Sequence, residues 1–286
     1  MKRFNYKYCL LSVAIGDYCG SAFEGHHGLI DASQLNDDTL LYGHNTGRNI
    51  KNTCTDDTVC TYATAAAILD NSFNFKQYYL DYGRHYIHAG FGPMFRQWLE
   101  GKRDDYESWG NGSAMRISPI GFYAKTVEEL EQLVIDSCKC THNSKEAILG
   151  ATVIAQAIFL AKRGDSKQHI MNMFHQRMPE WKNTDFDNYI QYFENKGEII
   201  DFGWYLKCDN IVGMVMKAFE VSDNFEHALY LVISQGYDTD TAGSIMAPLA
   251  YAYYGYIPQK YIDKIKNHLD VNMILINDIF SNIFVR

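Results

Sequence analysis

Apolar residues recur along this chain mostly at helical spacing, and two long polar stretches interrupt them. Positions 6–23 read as a first helix, with Ala14, Gly16, Gly20 and Ala22 as small residues suited to close helix packing. A glycine inside a helix costs about 1 kcal/mol relative to alanine, so a packing or site reason is expected for these two. Positions 25–52 are rich in Gly, Asn, Asp and His and read as a long loop. Loops of that length in a compact domain usually carry function. Positions 56–69 form a second helix, with Val59, Ala63, Ala66, Ala67 and Leu69 available for burial. Helices are also expected at 75–86 and 93–100. A second polar, glycine-rich loop follows at 101–118, and positions 119–123 lead into a helix at 126–138. There Thr126 stands three residues before Glu129, the capping-box spacing.

Positions 144–162 are Ala-rich and apolar on most sides, the signature of a central helix. The segments 167–178 and 225–234 are amphipathic, 239–254 is another small-residue helix, and two short helices close the chain. No run of alternating strand positions, internal repeat or low-complexity segment is present, so the expected class is all-α, as one domain over 1–286.

Composition narrows the function. With 47% hydrophobic, 14% aromatic and 21% charged residues, the 286-residue chain can build a large core and does not read as disordered. A net charge of −8 disfavours a bulk electrostatic grip on nucleic acid. Seven cysteines (Cys9, Cys19, Cys54, Cys60, Cys138, Cys140 and Cys208) include no C-x-x-C pair, and the Cys138-x-Cys140 spacing matches no standard zinc site. Free thiols in a reducing compartment are expected. The apolar stretch near the N-terminus is interrupted by Lys7 and followed by Asp17 and Glu24, unlike a secretion signal. No run reaches the ~18 apolar residues of a membrane span. A cytoplasmic, monomeric protein without membrane contact is the expectation.

Two carboxylate clusters stand out: Thr55-Asp56-Asp57-Thr58 and Asp238-Thr239-Asp240-Thr241. Each precedes an apolar helix, and acidic residues in a first turn are stabilised by the exposed N–H groups there. Taken singly, each reads as a helix cap. Taken together they hold more oxygen donors than caps need. Adjacent buried carboxylates repel, and a hard divalent cation removes that cost. Magnesium takes such oxygen ligands, and two sets brought together suit a two-metal centre. A third acidic run, Asn36-Asp37-Asp38-Thr39, reads as a solvated turn or cap.

At these residues the sequence resembles the ADP-ribosylglycohydrolase family, which includes dinitrogenase-reductase-activating glycohydrolases and eukaryotic ADP-ribosyl-acceptor hydrolases. Five blocks occur in family order. They are Gly16-Asp17-Tyr18-Cys19-Gly20-Ser21-Ala22-Phe23-Glu24, Thr55-Asp56-Asp57-Thr58, Gly110-Asn111-Gly112-Ser113-Ala114-Met115-Arg116, Thr141-His142-Asn143 and Asp238-Thr239-Asp240-Thr241. The resemblance implies an all-α bundle with a binuclear magnesium site in a central cleft, manganese being an alternative. By position, Thr55, Asp56, Asp57, Asp238, Asp240 and Thr241 would be metal ligands, and Glu24 and Asp238 the catalytic residues. The loop with Asn111, Gly112, Ser113 and Met115 would cradle a diphosphate through its N–H groups. His142 would reach phosphate or the distal ribose, Ser108 a phosphate, and Trp109 would stack on adenine. The implied reaction is magnesium-dependent cleavage of the glycosidic bond between ADP-ribose and an acceptor, on a protein, nucleic acid or small molecule.

Two positions depart from the family pattern. Tyr237 replaces the second of two glycines usual before the last block, adding bulk near the metals, where it would face substrate. Ser144-Lys145 replaces a common His-Pro. Residue by residue, Asp17 reads as a helix pin, Arg116 as half of a buried salt bridge, and Tyr251, Tyr253, Tyr254 and Tyr256 as packing. A non-catalytic ADP-ribose-binding member and a two-metal phosphohydrolase are the competing readings.

Overall fold

A computed structural model describes residues 6–42 and 53–284 of the chain. Their α-helices are α1 (Cys9–Ser21), α2 (Asp37–Tyr42), α3 (Asp56–Leu69), α4 (Phe75–His85), α5 (Pro93–Leu99), α6 (Gly112–Met115), α7 (Ser118–Tyr123), α8 (Val127–Cys138), α9 (Lys145–Arg163), α10 (Lys167–Arg177), α11 (Tyr189–Glu194), α12 (Phe202–Leu206), α13 (Cys208–Val221), α14 (Phe225–Ile233), α15 (Thr239–Tyr254), α16 (Gln259–Lys266) and α17 (Val271–Asn282). No strand occurs among the described residues; two isolated bridges join Glu107 to His142 and Gly110 to Lys207. The all-α expectation is met. No described helix is long and apolar enough to cross a membrane.

The small residues of α1 have a direct structural cause. A Cβ on Gly16 would stand 2.0 Å from the Gly243 oxygen, and one on Gly20 would stand 2.1 Å from the Thr239 oxygen. The α1 and α15 backbones therefore touch, and Thr239 Oγ1 donates to the Gly20 carbonyl at 2.8 Å across the seam. Every residue of α1 is buried, Asp17 included. Around this pair pack α3, α7, α9, α13 and α14. α9 begins at Ser144, whose hydroxyl accepts the Ala147 N–H, and stops at Gly164 with φ +85°.

Three expectations change. The 25–52 stretch is not all loop, since it holds α2. Asn36 Oδ1 accepts Thr39 N and Thr39 Oγ1 accepts Asn36 N, both at 3.0 Å, so the third acidic run is a reciprocal cap. Positions 43–52 lie outside the described residues. The 101–118 loop contains the single-turn α6. The chain between 179 and 224, where the sequence reading named no element, contains α11, α12 and the almost wholly buried α13. The predicted cap of α8 is present: Thr126 Oγ1 accepts Glu129 N at 3.1 Å, while Glu129 Oε2 accepts the Lys125 N–H at 2.8 Å. The seven cysteines are all free thiols.

Candidate active site

The start of α3, the start of α15 and the end of α1 meet at one place because of the glycine seam. Asp17 is the hub. Its carboxylate accepts Thr55 N at 2.8 Å, Thr55 Oγ1 at 2.9 Å, Thr58 N at 3.1 Å and Thr58 Oγ1 at 2.5 Å. It pins the first turn of α3, as its sequence position suggested. Burial pushes its carboxyl up to about 6 against these four lowering bonds.

The two acidic clusters converge. Asp57 Oδ1 accepts the Ser244 hydroxyl at 2.5 Å, and Asp57 Oδ2 accepts Thr55 Oγ1 at 3.1 Å and Thr241 Oγ1 at 3.4 Å. Ser244 was missed from sequence. Its signal is spacing, because it lies three residues after Thr241 on the same face of α15. Asp238 Oδ2 accepts Asn111 Nδ2 at 2.6 Å, which ties the glycine-rich loop to the second cluster. Asp240 Oδ1 accepts the Thr241 N–H at 2.9 Å.

Asp56, Asp57, Asp238 and Asp240 have no basic side chain paired with them among the described residues. Their electrostatics follow. Burial, then the charge of Asp17, pushes Asp56 up to about 8. Burial likewise raises Asp57 and Asp240 well above the carboxylate range, helped by Asp17 and Asp56 at the first and by Asp238 and Asp57 at the second. Asp238 is raised by burial, against bonds from Asp240, Asn111 and Thr241. Among the described residues no three Asp, Glu, His or Cys side chains already stand around one point as ligands. The donor set itself, carboxylates and hydroxyls from Thr55, Asp56, Asp57, Asp238, Asp240 and Thr241, is of the hard oxygen type that magnesium takes.

A cleft of about 470 Å³ opens over these residues. Its lining includes Glu24, Asp56, Asp57, Asp238, Asp240 and Thr241, together with Ser108, Trp109, Gly110, Asn111, Gly112, Met115, Arg116 and His142. Glu24 is solvent-reached at the rim. Crowding by the walls, then the charge of Asp238, raises its carboxyl. The rim loop is stitched to the second cluster by Gly25 N to the Tyr237 carbonyl and Tyr237 N to the His26 carbonyl, both 2.6 Å. Trp109 is 50% exposed, with its ring free to take a planar partner.

Four residues make contacts that the sequence did not signal. Ser113 turns its hydroxyl to the Ala147 carbonyl at 2.9 Å and does not line the cleft. Within the expected N–H cradle, Gly110 N is satisfied by Ser108 Oγ and Asn111 N by the Leu206 carbonyl, both at 3.0 Å. Arg116 makes no salt bridge among the described residues. It lies fully buried 4.1 Å over the Tyr79 ring, with Nη2 donating to the Thr141 hydroxyl and the Ser137 carbonyl. The cleft also takes walls from Gly90, Gly92, Pro93, Phe95, Phe202 and Leu206, for which the sequence carried no chemical signal.

Tyr237 shows why glycine is usual at this position: its φ is +63°. It does not line the cleft; its ring stacks on Tyr205 at 4.6 Å and 16°, and its hydroxyl donates to the Ile200 carbonyl at 3.4 Å. A left-handed backbone costs a non-glycine residue about 1 kcal/mol, and the stacked ring offsets that. Tyr237→Ala keeps the strain and loses the ring, so it should destabilise the fold by about 2 kcal/mol, and Tyr237→Gly by about half as much. Thermal melts of the two variants test this order, which reverses the one found where φ is negative.

An all-α domain with a carboxylate-lined cleft beside a glycine-rich loop is what fold and site define. The chain belongs to the ADP-ribosylglycohydrolase family, whose model matches residues 2–284. It is 26% identical over 306 residues to the ADP-ribosylhydrolase ARH3 of Mus musculus, covering 86% of this chain and 83% of that protein. It is 23% identical over 282 residues to the ADP-ribosylarginine hydrolase Tri1 of Pseudomonas putida (strain GB-1), covering 91% and 73%. Among solved structures it is similar to an ADP-ribosylglycohydrolase-related protein complex, with a TM-score of 0.72, 21% identity and 98% coverage of each chain. That likeness concerns the fold.

Proposed function

We propose that the chain is a magnesium-dependent hydrolase that releases ADP-ribose from an acceptor by cutting the glycosidic bond. The observation that carries this is the convergence of two acidic clusters, without a basic partner among the described residues, in a cleft that also presents Trp109 and the glycine-rich loop. Family membership and the names of the two relatives point the same way.

Thr55, Asp56, Asp57, Asp238, Asp240 and Thr241 would hold two magnesium ions, with manganese as a substitute. Bound there, the ions would neutralise the carboxylates and act as Lewis acids toward ribose oxygens and water. Cleavage at an anomeric carbon passes through an oxocarbenium-like state and needs a proton for the leaving group. Glu24, lining the cleft with a raised carboxyl, would hold that proton and give it to the leaving group. Asn111 orients Asp238 through the 2.6 Å bond, and Trp109 offers its exposed face to the adenine. Of the two relatives' names only that of Tri1 carries a linkage, to arginine, and the acceptor of this chain is a matter for the substrate panel.

The test is a panel of arginine-, serine-, nucleic-acid- and ester-linked ADP-ribose, incubated with magnesium or with a chelator and analysed by mass. ADP-ribose with an intact diphosphate, formed with magnesium alone, supports the proposal. Release of AMP or phosphate, or tight ADP-ribose binding with no turnover of any linkage, overturns it. Within an active system, Trp109→Ala should raise KM about tenfold and leave kcat within a few-fold, the signature of lost stacking worth about 1–2 kcal/mol.

A further inference from the structure

We infer that Arg116 and Thr141 are positioning residues that set the proton of His142 on Nε2 and present that N–H, as a donor, to the anionic part of a ligand in the cleft. The inference rests on the proposed function for the identity of the ligand, ADP-ribose, and on geometry for everything else.

Arg116 is a buried cation without an anion among the described residues. Its side chain is 0% exposed, it is packed against the Tyr79 ring and the thiol of Cys60, and Nε and Nη1 have no hydrogen-bonding oxygen or nitrogen partner. Burying an unpaired charge costs several kcal/mol, so the position calls for a reason. Its Nη2 supplies one. A guanidinium can only donate, so the 2.9 Å contact makes Thr141 Oγ1 the acceptor. The same oxygen lies 2.8 Å from His142 Nδ1. With a lone pair given to Arg116, the hydroxyl directs its one proton to Nδ1.

A neutral imidazole with Nδ1 accepting carries its proton on Nε2. The opposite tautomer would have Thr141 accept twice and leave its proton to the Cys140 sulfur, a weaker acceptor than an imidazole nitrogen. It would also turn the Nδ1 proton toward the cationic side and a bare Nε2 lone pair toward a cleft lined by carboxylates. The ring stays neutral because burial, then the Arg116 charge, holds it well below the ordinary histidine range.

The Nε2 edge is the working edge. His142 lines the cleft, is 7% exposed and, among the described residues, makes its side-chain hydrogen bond through Nδ1. A Cβ on Gly112 would stand 2.7 Å from Nε2, so Gly112 is what lets the ring lie flat against the turn. Tyr106 also stands beside the ring, its centroid 6.3 Å away. The backbone of 141–142 is held from the other side, with Ser108 N donating to the Thr141 carbonyl at 3.0 Å. Arg116 thus acts on the ligand at one remove: its charge and its bond to Thr141 keep a neutral donor aimed across the Gly110–Gly112 turn.

The tautomer can be read directly by nitrogen-15 NMR of the full chain labelled at histidine, with His142 assigned by its loss in His142→Gln. At neutral pH the wild type should show His142 with Nε2 protonated and Nδ1 bare. Thr141→Val should move the population toward the Nδ1–H form and weaken ADP-ribose binding about tenfold by calorimetry, while Thr141→Ser restores both. A His142 protonated on Nδ1 in the wild type overturns the inference, as does a Thr141→Val tautomer identical to wild type. Should Thr141→Val fail to fold, the wild-type spectrum alone decides. An Nε2–H tautomer in a protein that binds no ADP-ribose leaves the relay standing and sinks the proposed function. Turnover of ADP-ribosyl substrates by a protein with the Nδ1–H tautomer does the reverse.

Discussion

Asp57→Asn should lower magnesium-dependent release of ADP-ribose about a thousandfold while making the metal-free protein more stable. Asp57 bonds to Thr55 on one side and to Thr241 and Ser244 on the other, so it is the one carboxylate that joins both clusters. Losing a ligand charge there removes about 4 kcal/mol of stabilisation from the reaction, at 1.36 kcal/mol per tenfold. The stability effect has the opposite sign, because asparagine keeps hydrogen-bonding capacity and drops a charge that Asp17 and Asp56 oppose.

The metal-free wild type should show the same repulsion as a pH dependence. Asp56 is raised from 3.8 to about 8 in the folded chain, so the folded state binds more protons than the unfolded state between those values. The contribution of Asp56 to stability is therefore full below about pH 4 and is lost as pH rises through 8. Added magnesium should remove most of that fall and raise the melting point with each tenfold of free ion, as binding to the native state alone requires. Melts at pH 5 and 8, with magnesium or chelator, read all of this without any substrate. A metal-free protein whose stability is flat from pH 5 to 8, or an Asp57→Asn variant that retains full activity in chelator, is incompatible with the two-metal site.

Gly243→Ala should cost more than about 3 kcal/mol of stability, or prevent folding. The added Cβ would stand 2.3 Å from the Gly16 oxygen, a backbone atom in a wholly buried helix, so α1 and α15 would have to part. Parting them also separates Asp17 from its place below Thr55, and Asp240 and Thr241 from Asp57. Gly83→Ala is the control. Its Cβ meets only the Leu99 side chain, which can shift, and the loss should stay below about 1 kcal/mol. Circular-dichroism melts of both variants test the contrast. Equal melting points would mean that the seam tolerates a methyl group and does not set the geometry of the site.

The helices were legible wherever burial is one-sided or the ends are chemically marked. Thr126, Ser144 and the acidic first turn of α3 announce their helices locally, and α3 runs over the positions its pattern predicts. By contrast, α13 was passed over although Ile211, Val212, Val215, Met216 and Phe219 repeat at helical spacing, and its entry, Lys207, makes no side-chain cap. The short helices α6, α11 and α12 are too brief for a period to show and depend on tertiary contacts.

By itself the sequence determined which chemistry the chain can host. Two carboxylate clusters at helix starts, a glycine-rich loop and a small-residue first helix are local facts, and they suffice for the family and for the oxygen donors. Tertiary structure alone decided where these groups meet and which way they point. A glycine seam whose two halves lie more than two hundred residues apart brings Asp57 against Ser244, a relation no local spacing carries. Hydrogen-bond geometry turned Arg116 from an expected ion-pair partner into a cation behind His142 with no anion among the described residues. The sign of φ at position 237 folded Tyr237 onto Tyr205 instead of into the cleft, because one backbone angle decides a side chain's direction and composition does not encode it.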